Sequence, residues 1–278
     1  MKFTKMQGIG NDYVYVNCFQ EQIPDPATLA QRISDRHFGV GSDGLILICP
    51  SEVADFQMVM YNSDGSRAQM CGNGVRCVGK YVHDKGLTDK TTVTVETLAG
   101  IKTLELHLRK NGTVETVTVD MGAPILTPKD IPAVGTGDRF IEQPLMVDGK
   151  QWLVTSVSMG NPHAIVYVEH TDPLDLPKIG PAFESHPAFP QRTNTEFLEV
   201  VDRHTIKMRV WERGSGETLA CGTGACASLV ASVLTGRTER TATLKLLGGD
   251  LKICWDAETD HVFMTGPADF VFDGDYPL

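Results

Sequence analysis

Apolar and polar side chains alternate along Asp55-Phe56-Gln57-Met58-Val59-Met60-Tyr61, Thr92-Val93-Thr94-Val95 and Lys102-Thr103-Leu104-Glu105-Leu106. Successive side chains of a strand face opposite ways, so a period of two predicts half-buried strands. Residues 197–201, 206–211, 242–246 and 251–255 read the same way, and 164–168 reads as a further strand. Helical spacing is rarer. Val75 to Lys85 and Ala225 to Leu234 each follow a glycine-rich turn. Asp25-Pro26, a capping acid with proline at the first helical position, opens a third, weaker helix that runs to about Arg36. Many short strands with few helices make this an α+β chain.

The pattern also repeats. A shift of 150 residues carries Gly10-Asn11 onto Gly160-Asn161, Tyr61-Asn62 onto Trp211-Glu212, and Cys71-Gly72-Asn73-Gly74 onto Cys221-Gly222-Thr223-Gly224. Matches that keep their order without a gap indicate two similar halves, each a sheet with one main helix, joined by the Pro- and Gly-rich stretch 122–149. The two Cys-Gly-x-Gly turns are then symmetry mates.

Composition narrows the function classes. At 278 residues, with 41% hydrophobic and 22% charged side chains, the chain is an ordinary globular one. Its formal charge of −10 repels phosphate backbones and anionic membrane surfaces, so neither nucleic acid nor a membrane is an expected partner. Seven cysteines, an odd number at irregular spacings, fit a reduced cytoplasmic protein better than a disulfide framework, and no secretory signal is visible at the N-terminus. The uncharged stretch from Thr218 to Gly236 is rich in Gly, Ser and Thr, and reads as a loop followed by a buried helix instead of a membrane span.

Chemistry gathers at the matched turns. A cysteine that precedes a Gly-x-Gly turn opening a helix sits at the positive end of the helix dipole, which favours its thiolate and predicts a lowered pKa. The first N–H groups of the helix form an anion site suited to a carboxylate. Two such turns could hold one carboxylate while a thiol faces each side of its α-carbon, which is the geometry of a racemase or epimerase. Burial and packing remain the ordinary role for Cys18, Cys49, Cys77, Cys226 and Cys254. The spacings Cys71-x5-Cys77 and Cys221-x4-Cys226 are not the usual zinc knuckles, and no metal is expected. Neither Gly-x-Gly completes a dinucleotide or P-loop fingerprint. Met159-Gly160-Asn161-Pro162-His163 and Trp211-Glu212-Arg213 add an amide, an imidazole, a carboxylate and a guanidinium. With Asn11, Asn62 and Asn194 they suit a zwitterion larger than one simple amino acid, although turn chemistry and a solvated ion pair would explain the two clusters as well.

These residues resemble the diaminopimelate epimerase family along essentially the whole chain, through Met6 to Asp12, Met70 to Cys77, Met159 to His163 and Glu212 to Gly224. The resemblance implies a cofactor-independent isomerase that interconverts LL- and meso-diaminopimelate in lysine and peptidoglycan precursor synthesis. It implies halves that each wrap a sheet around a central helix, with the site in the cleft between them. The halves would be residues 1–121 with a returning strand 269–278, and residues 122–268. Carried onto this chain, Cys71 and Cys221 are the acid–base pair, and His163 and Glu212 adjust the thiols. Gly72, Asn73, Gly222 and Thr223 cradle the reacting carboxylate, while Asn11, Asn62, Asn161, Asn194, Glu212 and Arg213 bind the rest of the substrate. A homodimer is compatible with the resemblance. One departure is that Gly44 stands where many members carry a substrate-contacting glutamine.

Overall fold

The computed structural model describes residues 1–277, which divide into two compact units: residues 1–120 with 265 onward, and Met121–Met264.

In the first unit, β1 (Lys2–Gly8) and β2 (Asn11–Asn17) form a hairpin whose turn residues Ile9 and Gly10 both have positive φ. Helix α1 (Pro26–Ser34) crosses to β3 (Gly44–Cys49), which lies parallel to β2 and antiparallel to β4 (Phe56–Asn62). A short β5 (Arg67–Ala68) leads into α2 (Gly72–Asp84), and β6 (Thr92–Thr97) returns parallel to β4. Strands β7 (Gly100–Leu108) and β8 (Val114–Asp120) extend the sheet by antiparallel pairing. Residues Gly72 to Val82 of α2 are all buried, so the sheet encloses this helix.

The second unit follows the same path. Strands β9 (Gln143–Val147), β10 (Lys150–Ser158) and β11 (Pro162–Tyr167) pair in antiparallel order. Helix α3 (Leu176–Glu184) crosses to β12 (Asn194–Asp202), parallel to β11, and β13 (Thr205–Glu212) pairs antiparallel with β12. After β14 (Gly216–Thr218), α4 (Gly222–Leu234) leads to β15 (Thr241–Leu246), parallel to β13, and to β16 (Gly249–Trp255). The chain then passes through β17 (Val262–Pro267) to β18 (Asp269–Asp275), which pairs antiparallel with β1 in the first unit.

The 150-residue shift maps α1 onto α3 and α2 onto α4, residue for residue. It keeps its register because no insertion separates β1 from α2 relative to β10 from α4.

Several sequence expectations need adjusting. Helices α2 and α4 begin three residues before Val75 and Ala225, because Cys71 and Cys221 themselves cap them in extended backbone conformation. Helix α1 ends at Ser34, short of Arg36. Helix α3 carries no helical pattern that survives Pro177 and Pro181, although its counterpart α1 foreshadows it. The joining stretch 122–149 contains β9. Among the described residues no helix is long and apolar enough to cross a membrane.

Candidate active site

Each cysteine turn is built the same way. Cys71 Sγ accepts from Gly74 N–H at 3.3 Å, and Cys221 Sγ accepts from Gly224 N–H at 3.4 Å. Each sulfur thus takes the place of the usual oxygen cap, at the positive end of a buried helix of 13 residues. The first N–H groups of an α-helix lack intrahelical partners, which gives each turn carboxylate-binding capacity.

Around Cys71, the first unit places amides and a phenol. The thiol donates to Asn11 Oδ1 at 3.0 Å, and Asn11 Nδ2 donates to Asp43 Oδ2 at 2.7 Å. Tyr13 reaches both Asn11 and Cys71, and burial drives its hydroxyl well above the ordinary tyrosine range. Asn73 is buried, with its side-chain oxygen accepting from Arg76 Nη1 at 2.9 Å. Asn62, at the end of β4, donates to Ser66 Oγ at 2.9 Å. Gly44 opens β3 opposite Asn62. A β-carbon at residue 44 would collide with the Tyr61 carbonyl oxygen and come within 2.9 Å of the Tyr13 ring. Glycine here is therefore a packing requirement of β4 as it now lies.

Around Cys221, the second unit places ionisable groups. His163 is fully buried, with Nδ1 2.7 Å from Glu196 Oε1 and Nε2 3.1 Å from Asn161 Oδ1. Glu212 accepts from Thr218 Oγ1 and lies within hydrogen-bonding reach of Cys221. Burial raises the Glu212 carboxyl above its ordinary range, with Glu196 adding to the rise and His163 opposing it. Asn194 links two turns: Nδ2 donates to the Pro162 carbonyl at 2.9 Å, and Oδ1 accepts from Arg213 N–H at 2.9 Å. The exposed Arg213 guanidinium donates to the Gln191 carbonyl at 2.9 Å. Thr223 Oγ1 is 3.6 Å from Cys221 Sγ.

The Cys221 thiol departs from the sequence expectation. Burial pushes it well above the ordinary thiol range, and the carboxyls of Glu212 and Glu196 push the same way. The helix end and the Gly224 N–H favour the thiolate, but at 5% exposure the loss of hydration outweighs them. Cys221 therefore rests as a thiol.

Within the first unit, Asn11, Asn62, Cys71, Gly72 and Asn73 fall on the ends of β2 and β4 and the start of α2. Within the second, Asn161, His163, Asn194, Glu212, Arg213, Cys221, Gly222 and Thr223 fall on the matching ends of β11, β12, β13 and α4. Sequence reasoning missed three residues. Arg76, fully buried in α2, braces its first turn through the Asn73 side chain and the Gly72 carbonyl and also donates to Pro267 O at 3.2 Å. Glu184 accepts from Gly214 N–H at 2.8 Å and Trp211 Nε1 at 2.7 Å, which fixes the turn carrying Arg213. Glu196 is fully buried in β12. The ligand-capable atoms of His163, Glu196 and Cys221 lie within 4.8 Å of one another, and the short His163–Glu196 contact already engages two of them as a hydrogen-bonded pair.

Comparison with known proteins bears on what these turns serve. The diaminopimelate epimerase family model matches residues 3–127 and 155–271. This chain belongs to the diaminopimelate epimerase family. It is 62% identical to the diaminopimelate epimerase of Acetivibrio thermocellus, covering 100% of this chain and 99% of that one. Against the Methanococcus maripaludis enzyme of the same name it is 58% identical, with both chains covered in full. The fold extends beyond the family. A PhzF-family phenazine biosynthesis protein from Bacillus anthracis superposes with a TM-score of 0.71 at 16% identity, covering 100% of this chain and 99% of that one. A hydroxyproline epimerase from Agrobacterium vitis superposes with a TM-score of 0.69 at 15% identity, covering 99% and 90%. At such identities the likeness concerns the fold alone.

Proposed function

We infer that this chain interconverts LL- and meso-diaminopimelate by proton transfer at one α-carbon, with Cys71 and Cys221 as the two acid–base groups. The observation that carries this reading is the pair of matched turns, each with its cysteine as the N-cap of a buried helix. Whole-length identity to family members supports the substrate.

One sulfur, as thiolate, takes the α-proton and the other, as thiol, delivers a proton to the opposite face, so the centre inverts and the proton count balances. Glu212 is placed to take or return the Cys221 proton, because its own proton affinity is raised towards that of a useful base. N–H groups at residues 72, 73, 222 and 223 bind the reacting carboxylate and stabilise the charge that builds there as the proton leaves. Asn11, Asn62, Asn161, Asn194, Glu212 and Arg213 supply polar contacts for the remaining amino and carboxyl groups, and His163 acts on the thiols. No cofactor has a step in this scheme. The halves 1–121 with 269–278, and 122–268, each contribute one turn. The reading takes the protein as cytoplasmic, without nucleic-acid or membrane partners, and as a homodimer by family resemblance. The seven free thiols and the charge of −10 support the first two points.

The test is direct. Purified reduced protein without added cofactor should convert LL- to meso-diaminopimelate and leave proline and hydroxyproline untouched. Cys71→Ala and Cys221→Ala should each lower turnover by at least about a thousandfold. Turnover of proline in place of diaminopimelate, or an active Cys221→Ala enzyme, would overturn the reading.

A further inference from the structure

Glu196 has no role in the scheme above, yet its position is unusual for a carboxyl group. It is 0% exposed on β12, Oε1 lies 2.7 Å from His163 Nδ1, and Oε2 has no protein partner among the described residues. Burying a carboxyl group away from water is costly unless a partner offsets it. Packing does not require one at this place, as the other half demonstrates. Ile46 on β3 is the residue that the 150-residue shift places on Glu196, and Tyr13 is the one it places on His163. Ile46 fills the space beneath the Cys71 turn: a β-carbon on Gly74 would come within 2.8 Å of Ile46 Cδ1. A β-carbon on Gly224 would instead collide with Glu196 Oε1. The same pocket under the same turn thus holds an apolar side chain in one half and a carboxyl in the other. The carboxyl occurs where the neighbouring strand carries an imidazole.

His163 itself lies between two acceptors, Glu196 Oε1 on one ring nitrogen and Asn161 Oδ1 on the other. A neutral imidazole has only one N–H. With Asn161 so oriented, both contacts are satisfied when His163 and Glu196 together hold one proton beyond the neutral ring with an ionised carboxylate. The Nε2 proton is donated to Asn161, and the other is shared between Nδ1 and Oε1. The pair is then neutral overall, which suits its burial next to Cys221.

We propose that Glu196 is a positioning residue for the thiol chemistry, which orients the His163 ring through Nδ1 and keeps it doubly protonated beside the Cys221 turn. This rests on the function inferred above. When a thiolate forms, the imidazolium offsets the negative charge that the ionised Glu196 would otherwise set against it, without water having to enter. Without the carboxylate, the His163 ring would lose one of its two anchors.

The experiment pairs Glu196→Gln, which keeps the shape and removes the charge, with Glu196→Asp, which keeps the charge on a shorter arm. Glu196→Gln should lower kcat by about tenfold to a hundredfold while KM changes little, as for other groups that orient a functional histidine. Glu196→Asp should recover part of the loss. Independently of turnover, nitrogen-15 NMR of imidazole-labelled wild-type protein should show His163 protonated on both nitrogens at neutral pH, and Glu196→Gln protein should show a neutral ring. A singly protonated His163 in the wild type, or a Glu196→Gln enzyme with unchanged kcat, would overturn the proposal. A wild-type protein that does not epimerise diaminopimelate would instead overturn the function inferred above, and the NMR result would still decide whether Glu196 holds the histidine.

Discussion

The two cysteine turns share their backbone and differ in the side chains around them. Tyr13, Asn62 and Ile46 in the first unit correspond to His163, Glu212 and Glu196 in the second. An imidazole and two carboxyl groups are thus concentrated beside Cys221, while Cys71 is met by an amide and a phenol whose ionisation burial suppresses. Burial also distinguishes the cysteines outside the turns. Cys77 in α2 is fully buried, and its thiol is pushed up to about 12. An unfolded thiol ionises near its ordinary value of 9.0, so the unfolded chain releases this proton first. The stability that the protonated Cys77 contributes is therefore complete below about pH 9 and is lost as pH rises towards about 12, by about 4 kcal/mol at most. Urea unfolding at about pH 8 and about pH 10.5 checks this: the wild type should lose more stability between the two than Cys77→Ala, and parallel losses would refute it.

At the scale of elements, each cysteine turn depends on where its helix begins. Helix α4 starts at Gly222 because Cys221 caps it, and it lies close over β12 because residue 224 has no β-carbon. Gly224→Ala would press on Glu196 Oε1 and on Cys221 Sγ, which is only 3.2 Å from the added carbon. The substitution should cost about 1–3 kcal/mol in thermal or urea unfolding, and should reduce turnover further by displacing the sulfur. An alanine variant of wild-type stability and activity would show that the turn is looser than its packing implies. Much of this arrangement is legible in the sequence: alternation marks most of the strands, and the Gly-x-Gly turns mark both long helices. The remainder is hidden for physical reasons. Two prolines mask α3, which is visible only as the repeat of α1. Glu196 precedes the apolar run starting at Phe197 and reads as a solvent-facing position, because nothing local reveals the imidazole on the next strand. Arg76, a charged residue inside a helix, likewise reads as exposed until its carbonyl and amide partners are known.

Across the whole molecule, the duplication is the fact with the largest consequence. The 150-residue repeat is legible in the order of residues alone, and on the function proposed above each unit contributes one of the two acid–base groups. The asymmetry between the halves is not legible in the same way, since it depends on which residues the folded strands bring beside each sulfur. Identity to family members extends over the full length of the chain and so takes in both copies of the repeat. The central claim is that removal and return of the proton are performed by two different groups. Epimerisation of LL-diaminopimelate in heavy water, stopped at low conversion and analysed for isotope at the α-carbon, tests it most directly. Two separate thiols predict meso product that carries deuterium at the inverted centre while the remaining LL substrate carries almost none. Deuterium appearing equally in substrate and product from the outset would mean that a single base serves both faces, and would contradict the account.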